Sequence, residues 1–206
     1  LAAIYADWTR TPERIYDVNV EGSKTVLFAA YRAGLERVVY TSSIAAVGRR
    51  PDRPADETCE FTRTDWLDGN AYIRSKWLSE CDALRFAREG LPLVVVNPAF
   101  PFGPGDVAPT PTGRFVLSVL RKEAAAWFPG GFNAVDVNDL AEGHVLAEER
   151  GRIGERYILG GHNIDYQDYF ALVAELAKLP GPKFRMPPLV TLGLGWAMEA
   201  FANHVS

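Results

Sequence analysis

Residues 37–48 read RVVYTSSIAAVG, and the fold turns on this stretch. Arg37 to Thr41 is β-branched and aromatic, too short for a helix, and it runs into Ser42 and Ser43. It is expected as a buried strand whose carboxyl end carries small polar groups. Upstream, Thr11, Pro12 and Glu13 supply a cap residue, a first-turn proline and an early acid, and Gly34 supplies the matching stop. Between them a helix of about six turns is expected. Downstream, a polar segment from Gly48 to Gly69, rich in Pro, Asp and Arg, gives way to a helical pattern that reaches Gly90. Leu93 to Val96 is a second short apolar run, ended by Asn97 and Pro98, and is expected as another strand.

Apolar strands alternating with helices describe a parallel sheet covered by helices on both faces, joined by right-handed crossovers. Such sheets bind ligands beyond the carboxyl ends of their strands. Here those ends are Leu1 to Ala3, Ser42 with Ser43, and Asn97 to Phe100, expected to face one crevice. After Gly113 the pattern is shorter and mixed. It predicts a helix near Arg114 to Ala125, an extended piece from Ala134 to Val137, a helix from Asp139 to Glu149, a strand from Arg156 to Leu159, and a helix capped by Asp165 that reaches Lys178. Residues 1–110 are therefore expected to form the sheet domain and 111–206 a small mixed lobe, with 134–150 returning to the sheet domain.

The 206 residues are 48% hydrophobic and 23% charged, enough apolar material for a sizeable core. A net charge of -4 without a basic stripe sets nucleic acid and anionic membrane aside as partners. Cys59 and Cys81 fit no metal-ligand spacing and no secreted framework, so no metal is expected and reduced thiols of a cytoplasmic protein are. The apolar run from Leu189 to Ala202 is broken by Thr191, two glycines and Glu199 and is shorter than the ~20 residues a spanning helix needs. It is expected as a packed or interfacial helix, with no transmembrane segment. No signal peptide is visible, and both ends read as cut.

Tyr72 and Lys76 lie four apart on the helix expected before Gly90, so their side chains share one face about a turn from each other. An ammonium beside a phenol favours the phenolate, which a phenol must approach to act as a base near neutrality. The pair gains weight from its place. A serine-tipped strand precedes it by some thirty residues, and a proline-ended strand follows by about twenty.

In that arrangement the chain resembles the extended short-chain dehydrogenase/reductase superfamily. The likeness is carried by LAA at 1–3, NVEGSKTVLFAA at 19–30, RVVYTSSIAAVG at 37–48, YIRSK at 72–76, NPAFPFGPGD at 97–106, PGGFNAVDVNDLAEGH at 129–144 and GERYILGG at 154–161. Within it the NAD-dependent epimerase/dehydratase branch is most similar, and PTPTGR at 109–114 resembles the hopanoid-associated sugar epimerases. The resemblance implies a Rossmann-like doubly wound α/β fold, present in part. It makes Tyr72 the acid/base, Lys76 the group that holds the nicotinamide ribose, and Ser43 the hydroxyl that holds the substrate oxygen. It places Leu1, Ala2, Ala3, Thr41, Ser42, Pro98, Ala99 and Phe100 beside the cofactor, NAD or NADP, and Asn97 and Arg114 on the substrate side. Asn19 matches a helix asparagine that organises the active-site hydrogen bonds. His144 and His162 have no partner evident in the sequence and are read as packing or solvent-facing residues.

The superfamily carries a glycine fingerprint on its first strand and helix, and no Gly-x-Gly-x-x-Gly occurs in this sequence. The first βαβαβ half is therefore expected to be missing, about 70 to 90 residues at ~30 per βαβ unit. The residue that separates NAD from NADP would lie there. The segment alone is expected to be inert and to fail to bind NAD at micromolar concentration. The function implied is an epimerase or dehydratase acting on a sugar or nucleotide-linked sugar through a keto intermediate. A one-way NADPH-dependent ketone reductase resembling dihydroflavonol reductases is the second reading, and a non-catalytic binding protein the third. A homodimer is left open.

Overall fold

The computed structural model describes residues 3–6, 9–50, 52–107, 109–187, 189, 190 and 193. Its helices are α1 (Pro12–Tyr16), α2 (Gly22–Ala33), α3 (Arg63–Asp68), α4 (Ala71–Arg88), α5 (Pro111–Leu120), α6 (Val137–Arg150) and α7 (Tyr166–Ala177). Its strands are β1 (Val38–Thr41), β2 (Leu93–Pro98), β3 (Phe100–Phe102), β4 (Ala126–Trp127), β5 (Gly131–Asp136), β6 (Arg156–Leu159), β7 (His162–Asp165) and β8 (Phe184–Arg185). The chain divides into two units, Leu1–Ala99 with Asn138–Leu159, and Phe100–Val137 with Gly160–Ser206. The second unit thus opens at Phe100, eleven residues before the boundary expected from sequence, and the segment returning to the first begins at Asn138.

The first unit is an α/β layer. Its sheet has the order β1-β2-β6, parallel throughout, with Val38 opposite Leu93 and Val95 opposite Arg156. Leu93, Val94, Val95 and Val96 are all 0% exposed, which requires cover on both faces of β2. Side chains alternate along a strand, so Leu93 and Val95 enter one core with Leu27 and Ala30 of α2 and Ala83, Phe86 and Ala87 of α4. Val94 and Val96 enter the other, with Ala147 of α6.

Two local features differ from the sequence expectation. The helix foreseen between Thr11 and Gly34 is present, but a π-helical turn at Asp17–Glu21 interrupts it and turns Asn19 and Val20 inward. The polar segment before α4 holds α3, started by a reciprocal capping box between Thr62 and Asp65.

In the second unit β3 pairs in parallel with β5, and β5 pairs antiparallel with β7. Its core gathers Val119 of α5, Phe132 of β5, and Tyr169, Phe170 and Ala174 of α7. Helix α5 begins earlier than expected because Thr110 caps it, accepting from the Gly113 N–H at 3.2 Å, and Pro111 pre-sets its first turn. It stops at Leu120, and Lys122 then takes a left-handed conformation with φ 61°. At Gly131 a Cβ would lie 2.5 Å from the Ile164 carbonyl oxygen, so the β5–β7 approach requires glycine there.

Candidate active site

The tip of β1 and the first half of α4 build the site. The Ser42 N–H donates to the Val96 carbonyl at 2.8 Å and extends the ladder one residue past β1. Ser43 follows in extended conformation, and its Oγ accepts the Ala45 N–H at 3.1 Å, capping the one-turn 3-10 helix Ile44–Ala46. That turn packs against α4. An oxygen that accepts one bond still has its own O–H to donate.

Helix α4 starts where Asn70 accepts the Ile73 N–H at 2.9 Å. Tyr72 lies in its first turn, half-buried. Lys76, one turn on, is only 8% exposed, and its Nζ donates to the Thr41 carbonyl at 3.4 Å. Burial pushes the Lys76 ammonium below its ordinary pKa, opposed by the Glu80 carboxylate a further turn along. Lys76 and Ser43 are thus brought to the same strand tip. An ammonium has three N–H groups, and among the described residues Lys76 places one of them, at long range. Such a buried cation at the carboxyl end of a parallel strand suits the ribose hydroxyls of a dinucleotide.

Behind Tyr72, Ser75 is fully buried and donates from Oγ to the Tyr72 carbonyl at 2.8 Å. Asn19 donates to the same Ser75 Oγ at 2.9 Å, accepts the Ile4 N–H at 2.8 Å and donates to the Ile4 carbonyl at 3.0 Å. Asn19 therefore clamps the segment before α1 to α4. That segment sets the Tyr5 ring 4.7 Å from the Tyr72 ring at an interplanar angle of 42°. Tyr5 has no signal in the sequence, since nothing in the spacing links a residue of that segment to α4.

His144 of α6 was also missed. Its Nδ1 faces the Leu140 carbonyl at 2.8 Å and so carries the hydrogen, which leaves Nε2 to accept from the Thr41 hydroxyl at 3.1 Å. Thr41 is thus held by Lys76 through its backbone and by His144 through its side chain.

Of the other expected contacts, that of Asn97 requires correction. Asn97 does not face a substrate: it is 0% exposed, and its Nδ2 donates to the Ser43 carbonyl at 2.9 Å and to Glu80 Oε2 at 2.6 Å. Ser42 does not offer its side chain to a cofactor, because its Oγ is buried with no partner among the described residues. Ala99 is buried, its N–H given to the Leu159 carbonyl at 3.0 Å, while Pro98 stays half-buried at the end of β2. Ala3 is exposed, and Leu1 and Ala2 lie outside the described residues. Phe100 and Arg114 belong to the second unit. There the Phe100 ring packs 5.3 Å from Phe132, and Arg114 is exposed with its Nε donating to the Pro109 carbonyl at 3.2 Å. No group of three or more His, Cys, Asp or Glu able to hold a metal occurs among the described residues, and none of their helices is long and apolar enough to cross a membrane.

A model of the NAD dependent epimerase/dehydratase family matches residues 1–160. The chain belongs to that family. A Synechocystis sp. protein provisionally named a dihydroflavonol 4-reductase is 42% identical over 204 residues, 97% of this chain and 59% of that protein. The sterol demethylase protein B of Methylococcus capsulatus is 35% identical, over 88% of this chain and 55% of its own. The crystal structure of a nucleoside-diphosphate-sugar epimerase from Pseudomonas aeruginosa superposes with a TM-score of 0.79 at 30% identity, over 88% of this chain and 61% of that one. The chain thus spans less than two thirds of the length of these family members.

Proposed function

We propose that Ser43, Tyr72 and Lys76 form the site of an NAD(P)-dependent oxidoreductase that interconverts a secondary alcohol and a ketone. The observation that carries this is the buried Lys76 ammonium, one turn beyond Tyr72 and directed at the β1 tip that Ser43 follows. Tyr72 gives its phenolic proton to the carbonyl oxygen in reduction and takes it back in oxidation. The Ser43 O–H donates to the same oxygen as charge develops on it. Lys76 holds the nicotinamide ribose and stabilises the phenolate. Nicotinamide, when bound, supplies or accepts the hydride at the substrate carbon.

Net reduction is favoured by the reductase names of relatives at 32 to 42% identity, the cinnamoyl-CoA reductases among them, and a ketone as the acceptor by the dihydroflavonol 4-reductase name of the Synechocystis protein. The second reading, an epimerase or dehydratase acting on a nucleotide-linked sugar, is favoured by the Pseudomonas structure. Purified protein from the complete gene, supplied with NADPH and a panel of aryl and alicyclic ketones, is expected to consume NADPH in step with alcohol formed. Sugar isomerisation without net NADPH loss would favour the second reading over the first. In either case Tyr72→Phe is expected to lower turnover by a factor on the order of a hundred, and near-normal turnover in that variant would remove the mechanism.

A further inference from the structure

We propose that Glu80 is a positioning residue, whose buried carboxylate fixes the Ser43 turn against α4 through Asn97 and is itself anchored by Arg156. Its role in turnover rests on the proposed Ser43, Tyr72 and Lys76 site, but none of its atoms is needed there to touch substrate or cofactor.

Four elements meet at Glu80. Arg156 of β6 donates from Nη1 to Glu80 Oε1 at 3.1 Å. Glu80 Oε2 accepts from Asn97 Nδ2 of β2 at 2.6 Å, and the other hydrogen of that nitrogen goes to the Ser43 carbonyl at 2.9 Å. Glu80 is 2% exposed and Asn97 0%, so water does not compete for these bonds. Both partners of Asn97 Nδ2 are pure acceptors, which dictates the orientation of its amide and leaves the Oδ1 side without a partner among the described residues. Arg156 is pinned in turn, with Nε on the Glu57 carbonyl at 2.9 Å and Nη2 on the Cys59 carbonyl at 2.7 Å.

A lone buried carboxylate is costly, and a buried one held by a guanidinium and an amide is directional. The line Arg156, Glu80, Asn97, Ser43 therefore runs from the β6 edge to the proposed substrate-holding residue. The same helix carries Lys76 one turn before Glu80. Glu80→Gln keeps the size but turns an N–H₂ group toward either Asn97 Nδ2 or Arg156 Nη1, donor against donor, so one link must open.

Two measurements on the protein from its complete gene test this. By hydrogen exchange, Glu80→Gln is expected to speed exchange of the Ala45 and Ala46 amides, which close the Ser43 turn, by about tenfold or more while the β2 amides stay protected. Unchanged exchange at Ala45 and Ala46 in a folded variant overturns the proposal, whatever reaction the protein catalyses. In steady-state assays kcat is expected to fall about tenfold or more with the cofactor KM within about twofold, as misplacement of a reacting group should produce. A lowered melting temperature with wild-type kcat would make Glu80 a stabilising residue only and overturn the positioning role. If Glu80→Gln does not fold, Arg156→Gln decides: it should show the same faster exchange at Ala45, and unchanged exchange overturns the proposal. Wild-type turnover in Tyr72→Phe would instead defeat the functional reading and leave the exchange result standing.

Discussion

Replacing Asn19 by Ala removes three hydrogen bonds at one stroke, two to the Ile4 backbone and one to Ser75 Oγ. Each neutral bond contributes about 1 kcal/mol net. Ile4 is half-buried, so its N–H and C=O regain some water in the variant, whereas the Ser75 partner is lost in a site that is 0% exposed. Ser75 keeps its bond to the Tyr72 carbonyl, which limits the loss at α4. The sum is a destabilisation of about 2 to 3 kcal/mol. With a urea m-value of about 2 kcal/mol/M the unfolding midpoint should fall by about 1 M or slightly more. The assay is urea unfolding followed by tryptophan fluorescence, for which Trp66 and Trp77, ring centroids 5.5 Å apart, are internal reporters in the first unit. Hydrogen exchange at Ile4 should quicken in the same variant. A midpoint shift below about 0.2 M, with Ile4 exchange unchanged, would refute the clamp.

Asp65 gives a pH prediction. Its burial alone would raise its pKa, but hydrogen bonds from the Arg49 guanidinium and from the Thr62 N–H and hydroxyl outweigh this and pull it down to about 2. A carboxyl depressed on folding stabilises the protein above its unfolded pKa near 3.8 and loses that stabilisation as pH falls toward 2. Asp65→Asn should therefore cost on the order of 1 to 2 kcal/mol at pH 7 and flatten the stability profile between about pH 4 and 2, measured by thermal unfolding across that range. Tyr169 points the other way. Its hydroxyl is buried without a partner among the described residues, and burial pushes its pKa up to about 12. Tyr169→Phe should be neutral or stabilise by about 1 kcal/mol, and a drop in melting temperature of several degrees would show that the hydroxyl has a partner after all.

The α/β architecture was legible because β1 and β2 are short apolar runs bounded by polar residues, and because α2, α4 and α7 carry their own stops and caps at Gly34, Gly90 and Asp165. β6 was equally plain. The π turn at Asp17–Glu21 was not, because widening one turn of a helix leaves no mark on the apolar spacing. The short strands β3, β4, β7 and β8 were missed because their two to four residues are set by pairing partners and not by local pattern. The placement of Ser43 just past the β1 tip and of Tyr72 and Lys76 one turn apart on α4 could be read because strand tip and helix spacing are local properties. Asn97 and Ser42 were expected at the ligand because they sit at strand ends, yet whether such a side chain turns outward or inward depends on Glu80 and on packing from distant elements. His144 and Tyr5 reach the site from more than sixty residues away in sequence, which spacing cannot reveal.

The most direct measurement is hydride transfer itself. Protein from the complete gene is incubated with NADPH carrying deuterium at both C4 positions and a ketone substrate, and label at the product carbinol carbon is followed by mass spectrometry in the wild type and in Tyr72→Phe. The account predicts one deuterium per product molecule in the wild type, and transfer slower by a factor on the order of a hundred in the variant. Equal rates of transfer in the two proteins would contradict it.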